Sequence, residues 1–519
     1  MDRNAAATKN IISGLISKLV SFGLNFASRT VFIYVLGKQF LGVNGLYTEI
    51  LTVLSFAELG FGTALTFAMY KPVAEGDENK TLKLIRFYKR IYQVIAILVA
   101  LIGVSLTPFL QYLVRGADQI TLNELRIYFL IFLSNTVISY FVMYRYSYIN
   151  ARQENYYTTI FDMIVTVVVV LAQIVGLLVF RNYLAYLLIH MGFLIVSKLV
   201  FSFLSTKRYS IFRKKAKEKL SKEEKAPIYR EVRGLVVHQF SNIAIHSTDS
   251  IIISSVASLG VSVVGIVANY NTLMTSVLGF IAIVFTSISS GMGNLFATSS
   301  KQRFYEVFKE LNFINFWFYG FSSIAFICLV PPFISLWLGD EYILEFLPFL
   351  LIVINGYFEG QSTIYNTARL ACGNFQLDKW ISLSQAIINL VLSIILANII
   401  GLVGIYVGTI VSRLFFVVFR PLVTFKFMFE RSPSDYYSYL LKYSIVAALV
   451  GCFCYFLVQN CFSGGITVTR FVIASLLVLV VPNAVFLALF SNTKEFVAAK
   501  ERLGRLLARF SKTRSENPQ

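Results

Sequence analysis

The chain has 519 residues, of which 57% are hydrophobic and only 14% are charged, and its mean hydropathy is +0.70. This much apolar surface excludes a soluble globular protein of ordinary composition. The formal charge of +19 does not indicate a nucleic-acid-binding protein, because the cations are concentrated in short connections between apolar runs. That distribution is typical of a chain oriented in a membrane.

Apolar runs of about 20 residues recur along the sequence, and each is long enough to cross a bilayer as a helix. Only helices and closed barrels satisfy the backbone in lipid, and these runs are too long and continuous for barrel strands. We therefore predict an all-α polytopic membrane protein with about fourteen transmembrane helices. The predicted spans are 10–37, 40–69, 90–114, 123–147, 157–180, 183–205, 233–257, 262–295, 311–337, 343–368, 380–400, 402–426, 438–460 and 468–491.

The connections between the predicted spans alternate in charge, and the basic set is predicted to be cytoplasmic. The basic connections hold Lys71, Lys80, Lys83, Arg86, Lys89, Arg90, Arg145, Arg152, Lys301, Arg303, Lys309, Arg420, Lys426 and Arg431. The other connections are short and hold only Lys38, Arg115, Arg126, Arg181 and Arg470 as cations. Because the number of spans is even, both termini are predicted to be cytoplasmic.

Short motifs in the first half of the chain return in the same order between 215 and 224 residues later. The matches are Gly14-Leu15 with Gly234-Leu235, Leu59-Gly60-Phe61 with Leu278-Gly279-Phe280, Arg86-Phe87-Tyr88 with Arg303-Phe304-Tyr305, Pro108-Phe109 with Pro332-Phe333, and 195–199 with 410–414. Ordered matches at a nearly constant offset indicate an internal repeat. Since each half holds six spans and begins inside, we predict parallel repeats around a midplane site, an arrangement that transporters use.

The repeat predicts five parts of the chain. They are an N-terminal six-helix lobe at 1–205, a basic cytoplasmic linker at 206–232, a C-terminal six-helix lobe at 233–430, an extra helix pair at 431–492 and an amphipathic basic tail at 493–519. The linker is expected to lie on anionic lipid headgroups. The tail is expected to lie on the inner leaflet as a surface anchor.

The first predicted helix carries Lys18, Asn25 and Arg29, and steps of seven and four residues place them on one face. A charge inside a span is costly unless it faces other protein or a water-filled cavity, so this face is predicted to line a cavity. Arg29 and Lys18 are candidates for phosphate binding, because a guanidinium offers a fork that matches phosphate oxygens. Lys18 could instead reach the headgroups by snorkelling.

The second predicted helix carries Glu49 and Glu58, which in an antiparallel hairpin would lie at the depths of Arg29 and Lys18. The acids could therefore neutralise those cations, which would lower the cost of burying them. Nine residues separate the two acids, so they lie on opposite faces and only one of them can easily face a cavity. Both are candidates for gating or ion coupling.

The seventh predicted helix carries His238, Asn242 and Asp249 on one face, with His246 at its edge. Asp249 takes the repeat position of Arg29, so we hypothesise that these two residues approach each other when the outer side closes. Asp249 is also the leading candidate for a proton or coupling-ion site. His238 and Asn242 are predicted to be polar cavity wall that contacts substrate, and His246 is a further candidate for gating.

Lys198 and Arg413 recur at equivalent places near the inner ends of spans six and twelve. Snorkelling to inner headgroups and contact with substrate are both open for them. Asp162 lies one turn inside its span and is expected to be interfacial.

The sequence has no glycine-rich lysine loop for nucleotide phosphates and no His, Cys and Asp cluster with metal-ligand spacing. We therefore predict a transporter rather than an enzyme, with no metal and no cofactor. A proton or sodium gradient, the membrane potential or the substrate gradient would drive it.

The stretch Leu41-Gly42-Val43-Asn44-Gly45-Leu46-Tyr47, followed by Ala57-Glu58-Leu59-Gly60-Phe61-Gly62, resembles the start of the Wzx-type polysaccharide (O-antigen) flippases. These belong to the multidrug/oligosaccharidyl-lipid/polysaccharide exporter superfamily, and the resemblance covers most of the chain. It implies alternating-access translocation of an undecaprenyl-pyrophosphate-linked oligosaccharide to the outer leaflet of a bacterial plasma membrane. It also implies membrane lipids and polysaccharide polymerase machinery as partners.

In the related lipid II flippases, basic residues of the first helix face the central cavity, and Arg29 is the position here that fits that role. In those relatives the two C-terminal helices form a groove for the lipid tail, which 438–460 and 468–491 could supply. The acids at Glu49 or Glu58 and at Asp249 depart from a purely cationic cavity.

Two other functions remain open on the sequence. A drug exporter of the same superfamily would favour acids over cations in its cavity and would lack the extra helix pair. A membrane-embedded glycan ligase or polymerase usually needs a large external loop with catalytic residues, whereas every predicted outer connection here is short.

Overall fold

The computed structural model describes residues 3–58, 61–214, 216, 218–256, 258–372 and 377–502. Across these residues the secondary structure is helical and includes no strand. This confirms the prediction of an all-α polytopic membrane protein. The α-helices are α1 (Arg3–Leu54), α2 (Phe61–Glu75), α3 (Glu78–Leu106), α4 (Leu110–Leu113), α5 (Leu122–Ala151), α6 (Asn155–Phe180), α7 (Tyr183–Arg208), α8 (Lys222–His246), α9 (Asp249–Ser255), α10 (Gly260–Thr298), α11 (Lys301–Leu338), α12 (Phe346–Cys372), α13 (Lys379–Phe429), α14 (Ser434–Phe462) and α15 (Val468–Phe490).

Within the described residues, ten helical stretches are long and apolar enough to cross a membrane. Two of them, α1 and α13, each cover two predicted spans. Non-helical backbone interrupts α1 at Gly37, with φ 81°, and α13 at Ile400 and Gly401. Glycine tolerates a positive φ because it has no Cβ, so both breaks fall where the sequence permits them. Helix α12 overlaps the predicted span 343–368, and α8 and α9 together overlap the predicted span 233–257. The predicted span 40–69 is shared between α1 and α2.

The chain divides into two compact units. One comprises Met1–Ala268 with Ala397–Gly401, and the other comprises Asn269–Leu396 with Leu402–Gln519. Helices α8 and α9 therefore belong to the first unit. The five-part division derived from the repeat stays a prediction.

The core of the first unit is built from aromatic side chains on α1, α5 and α7. The ring of the buried Tyr183 lies 5.8 Å from that of Phe32 and 4.8 Å from that of Tyr128. The hydroxyl of Tyr47 donates a 2.9 Å hydrogen bond to the carbonyl of Leu125. Tyrosine can fill such a core because its ring packs while its hydroxyl finds an acceptor.

The core of the second unit centres on α11, which packs against α12, α14 and α15. The ring of Phe316 stacks on Tyr443 at 4.3 Å and lies 5.2 Å from Phe486. Trp317 Nε1 donates a 2.7 Å hydrogen bond to Oδ1 of Asn483. The two C-terminal helices are thus part of the second unit's core.

Two glycines allow α1 and the start of α10 to pack with their backbones in contact. A Cβ added at Gly42 would lie 1.9 Å from the carbonyl oxygen of Val261, and one added at Gly265 would lie 2.3 Å from that of Lys38. Because no side chain fits at this contact, close backbone packing explains why position 42 of the Leu41–Tyr47 motif is glycine.

The linker is held against the rest of the first unit by ion pairs. Lys83 Nζ lies 2.5 Å from Glu218 Oε2, and Lys214 Nζ lies 2.6 Å from Glu78 Oε1. The guanidinium of Arg86 also donates a 3.1 Å hydrogen bond to a linker carbonyl. Several charges that the sequence suggested would face lipid headgroups therefore have protein partners.

The start of the tail packs on α11. The ring of Phe496 lies 5.9 Å from that of Trp317, and Arg502 Nη2 lies 2.7 Å from Glu310 Oε2. The part of the predicted amphipathic tail beyond Arg502 lies outside the described residues.

Candidate functional site

The first unit contains a cavity of about 960 Å³ among α1, α5, α6 and α7. Most of the lining side chains are polar. The polar lining residues are Asn25, Ser28, Asn44, Thr48, Thr52, Ser55, Asn135, Thr136, Ser139, Tyr146, Asp162, Thr166, Gln173, Tyr186, His190, Ser197 and Lys198. A cavity of this size falls within the range of small-ligand sites, and its convergent polar groups could orient a ligand.

The cavity holds one carboxylate and one ammonium group, contributed by neighbouring helices. The hydroxyl of Tyr146 on α5 donates a 2.7 Å hydrogen bond to Oδ1 of Asp162 on α6. Lys198 Nζ on α7 lies 5.3 Å from the centre of the Tyr146 ring and interacts electrostatically with Asp162. Opposite charges lower the cost of keeping both groups away from water. The pair adds no net charge to the cavity.

The remaining polar lining consists of amides and hydroxyls. Gln173, only 4% exposed, donates a 3.4 Å hydrogen bond to the carbonyl of Tyr186. Asn44 Oδ1 accepts a 3.3 Å hydrogen bond from the hydroxyl of Tyr183. The hydroxyl of Tyr186 is within hydrogen-bonding reach of Ser28. Amides and hydroxyls both donate and accept, so this lining can bind a neutral molecule rich in hydroxyl groups.

The three residues predicted to share one face of the first helix do not all line this cavity. Asn25 lines it. Arg29, one helical turn further along α1, is half-buried and interacts electrostatically with Tyr186 of the lining. Lys18 is exposed and does not line the cavity. The predicted stripe therefore reaches the cavity at Asn25, and Arg29 interacts with the lining residue Tyr186 without lining the cavity itself.

The acids predicted on the second span have hydroxyl neighbours in the first unit. Glu49 is within hydrogen-bonding reach of Ser247, and Glu58 is within reach of Tyr140. Tyr140 also donates a 2.9 Å hydrogen bond to Ser55 of the cavity lining. Their suggested pairing with Arg29 and Lys18 stays a prediction.

The predicted seventh span is divided at the position where a continuous face was expected. Helix α8 ends at His246 and α9 begins at Asp249, so no single regular helix carries all the residues predicted for that face. Asn242 is exposed on α8, and Asp249 opens α9 two residues after Ser247. The side chains of His238 and His246 lie outside the described part of the structure.

The two repeat-related cations each have a carboxylate neighbour in their own unit. Lys198 faces the cavity and Asp162 in the first unit. Arg413 is buried in the second unit, where its Nε donates a 2.8 Å hydrogen bond to Asn355 and its Nη2 lies 3.2 Å from Glu359 Oε2. Neither cation is arranged as a simple snorkelling residue.

A second charge cluster is fully enclosed in the second unit. The carboxylate of Asp378, which is 0% exposed, accepts a 2.9 Å hydrogen bond from Arg369 and a 2.5 Å hydrogen bond from Arg420. Arg420, counted among the cytoplasmic connection residues from the sequence, is thus a buried structural residue within α13. Such a cluster is costly to break because a buried charge would lose its partner.

Sequence reasoning missed the importance of Asp162, which it assigned to the membrane interface. The missed signal is the spacing of Asp162, Thr166 and Gln173, since steps of four and seven put three polar residues on one face of an apolar helix. His190 on α7 also lines the cavity and was not singled out. No group of three His, Cys, Asp or Glu side chains that could hold a metal ion occurs among the residues that the structure describes.

The helical arrangement of this chain is similar to that of solved flippase and transporter structures. The lipid II flippase MurJ in an inward closed conformation matches with a TM-score of 0.65 and 12% identity, over 93% of this chain and 99% of that one. A point mutant of the Vibrio cholerae MATE transporter VcmN matches with a TM-score of 0.55 and 14% identity, over 80% and 95%. An inward-facing multidrug resistance MATE transporter matches with a TM-score of 0.56 and 14% identity, over 78% and 94%.

The match to the MurJ structure leaves only 7% of this chain uncovered, which is about 36 residues. That is fewer than the residues from Ser434 to Phe490, so the likeness includes at least part of this C-terminal segment. No protein-family model matches the sequence, and no curated protein matches it. At these identities the similarity establishes the fold of the chain.

Proposed function

We propose that the protein is a flippase that moves undecaprenyl-pyrophosphate-linked oligosaccharide repeat units from the inner to the outer leaflet by alternating access. The product would serve synthesis of a surface polysaccharide of the capsule, O-antigen, exopolysaccharide or teichoic-acid type. The observation that carries the proposal is the cavity of about 960 Å³ with its lining of amides and hydroxyls, in a chain with the fold of a lipid II flippase.

The chemistry of this cargo matches the lining. A diphosphate oligosaccharide cannot cross hydrocarbon unaided, because its charge and its hydroxyl groups would lose their hydrogen-bond partners. The amides of Asn25, Asn44 and Gln173 offer donors and acceptors that replace water around a sugar.

The charges of Lys198 and Asp162 offset each other, so the cavity itself has no excess positive charge. A diphosphate would therefore need a further cation. Arg29, one turn from Asn25 at the edge of the lining, is our proposed diphosphate contact. Lys18, His238, Asn242 and Arg413 stay secondary proposals for contact with substrate.

Coupling is proposed at the acids that lie beside hydroxyl groups. Glu49 has Ser247 as a neighbour and Glu58 has Tyr140, and in this proposal each acid takes up a proton or a cation. Asp249 and His246 complete the proposed gating set. A proton or sodium gradient or the membrane potential would supply the energy.

The proposed setting is a bacterial plasma membrane with both termini in the cytoplasm, near polysaccharide polymerase machinery. The basic connections favour that orientation. Helices α14 and α15 are proposed to guide the lipid tail, which stays in the hydrocarbon while the polar head moves.

Deletion of the gene, followed by analysis of lipid-linked oligosaccharides, tests the proposal. We expect undecaprenyl-pyrophosphate oligosaccharide to accumulate on the cytoplasmic side and surface polysaccharide to be lost. The wild-type gene and V168L, a change at a residue 44% exposed on α6, should restore export, whereas R29Q should not. Intact polysaccharide together with increased sensitivity to cationic drugs would instead establish the multidrug exporter.

A further inference from the structure

A second cavity, of about 530 Å³, lies at the end of the first unit where the basic connections gather. It is bordered by the α2–α3 turn, the α5–α6 turn and the segment after α7. Its lining residues include Thr81, Arg152, Glu154, Arg208, Tyr209 and Ser210. It shares no lining residue with the larger cavity among α1, α5, α6 and α7.

A buried carboxylate fixes two guanidinium groups in this cavity. Glu154 is only 3% exposed, and its oxygens lie 2.9 Å from Arg152 Nε and 3.3 Å from Arg208 Nη2. The hydroxyl of Tyr209 donates a third hydrogen bond to Glu154, at 2.7 Å. A rigid anchor of this kind lowers the entropy lost when the guanidiniums bind a ligand.

The guanidiniums keep donors available on the cavity side. The side chains of Arg152 and Arg208 are 40% and 39% exposed. Their bonds to Glu154 use Nε of Arg152 and Nη2 of Arg208, while Arg152 Nη2 and Arg208 Nη1 have no hydrogen-bond partner in the described part of the chain. Two such nitrogens suit the tetrahedral oxygens of a phosphate.

The charge around the cavity is positive. Glu154 offsets one of the two guanidiniums, and Glu78 at the rim is already paired with Lys214. Arg145, seven residues before Arg152, is 8% exposed, and all of its hydrogen-bond partners among the described residues are neutral oxygens of Tyr144, Ser202, Ser205 and Thr206. An excess of buried and half-buried cations attracts an anion.

The tyrosines around the cavity point to lipid as the source of that anion. Tyr148 and Tyr209 line it, and Tyr156 accepts a 3.0 Å hydrogen bond from Arg208 at its rim. Tyrosines concentrate at the level of the headgroups, where the ring is in apolar surroundings and the hydroxyl is wet. Basic pockets between helices on the cytoplasmic side bind anionic headgroups in other membrane proteins.

We propose that the cavity around Arg152 and Arg208 is a binding site for the phosphate group of an anionic membrane lipid on the cytoplasmic leaflet. The site is independent of the proposed transport cavity. A lipid bound there would contact the α2–α3 turn, the α5–α6 turn and the end of α7. The occupancy of the site would depend on the lipid composition of the membrane.

Native mass spectrometry of the full-length protein, released from detergent with phosphatidylglycerol added, tests the site. We expect R152Q/R208Q to retain at least about fivefold less lipid than the wild type. The matched control is R303Q/R431Q, which removes the same charge from exposed arginines of the second unit and should retain lipid normally. Equal retention by R152Q/R208Q and the wild type, or equal losses in the two double variants, would overturn the proposal.

A second pair of variants protects the test against misfolding, because the double variant also removes partners of buried Glu154. S210E places a carboxylate at the exposed rim without touching that network, and S210Q has nearly the same size without the charge. Loss of lipid in S210E but not in S210Q supports the site, and equal retention in both counts against it. A thermal shift with inorganic pyrophosphate that requires both arginines, without lipid retention, would show a free-anion site and refute the lipid assignment.

Discussion

The hydroxyl of Tyr146 donates a 2.7 Å hydrogen bond to Oδ1 of Asp162, and Lys198 approaches the same tyrosine ring from α7. Three helices thus place an acid, a base and a phenol in one cavity of the first unit. The arrangement keeps the cavity polar without giving it a net charge. It is therefore suited to hydroxyl groups, and in the proposed function the charge that binds the diphosphate comes from Arg29 outside the lining.

The interaction of Asp162 with Lys198 predicts energetic coupling between the two residues. D162N and K198M should each lower the free energy of unfolding by about 1–3 kcal/mol, because each leaves the other charge in the cavity without its counterpart. The double variant should lose less than the sum of the singles, by about 0.5–3 kcal/mol. Chemical unfolding of the purified protein in detergent measures all three.

The matched control for this double-mutant comparison is the pair Lys71 and Glu75, whose side chains are 81% and 58% exposed. Its coupling should be below about 1 kcal/mol. If the changes at Asp162 and Lys198 were simply additive, the two groups would not interact across the cavity.

Gly42 predicts a strict size limit at the contact between α1 and α10. G42A should sharply reduce folded yield, because its Cβ would lie 1.9 Å from a backbone oxygen that cannot move independently of its helix. G14A on the same helix has nothing within 4 Å of its added Cβ and should be neutral or slightly stabilising. Fluorescence size-exclusion chromatography of tagged variants compares the yields, and similar profiles for the two would contradict the contact.

We predict that Glu154 stabilises the folded protein near neutral pH and that this stabilisation is lost at acid pH. Burial alone would raise the pKa of this carboxyl, but the hydrogen bonds from Tyr209, Arg152 and Arg208 outweigh it and lower the pKa below the usual value. A lowered pKa in the folded state stabilises the protein above the unfolded value, about 4.3, and this contribution is lost as the pH falls through the folded value.

Melting temperatures of the wild type and E154Q between pH 7 and pH 3 test that sign. The difference between them should be largest near neutral pH and should shrink below about pH 4. A difference that grows as the pH falls would contradict the assignment of a charged, paired Glu154.

We predict that transport requires the guanidinium of Arg29, with its two parallel N–H donors, and not only a positive charge at this position. R29Q should reduce export of lipid-linked oligosaccharide at least about tenfold, and R29K should recover only part of it, because an ammonium cannot donate to two phosphate oxygens in one plane. R115Q, an exposed arginine outside the cavity, is the control. Full activity of R29Q at normal protein level would remove Arg29 from the diphosphate site.

The sequence was sufficient to predict an all-helical membrane protein, because apolar runs carry that information directly. Gly37 ends the predicted span 10–37 and Gly401 separates the predicted spans 380–400 and 402–426, and the structure breaks α1 and α13 at these residues. The break between His246 and Asp249 has no comparable signal, since Ser247 and Thr248 are compatible with a continuing helix. The prediction of one shared helix face was therefore wrong, because it assumed a continuous helix and α8 ends at His246.

The site was harder to predict because it depends on which helices are neighbours. Asn25 and Lys198 were found, since a polar residue inside an apolar run is visible in one dimension. The role of Asp162 depends on Tyr146 and Lys198, which lie on two other helices. The same holds for Asp378 and Arg420, which are 42 positions apart in the chain and meet only in the folded second unit.

The most direct test of the central claim is a translocation assay with the purified protein in proteoliposomes. Undecaprenyl-pyrophosphate-linked oligosaccharide is placed in both leaflets, and the fraction accessible to an added glycan-modifying enzyme is followed over time. We predict that the inaccessible fraction moves across with the wild type and V168L, and much more slowly with R29Q. Movement no faster than in protein-free liposomes, while a cationic dye is transported, would contradict the flippase account.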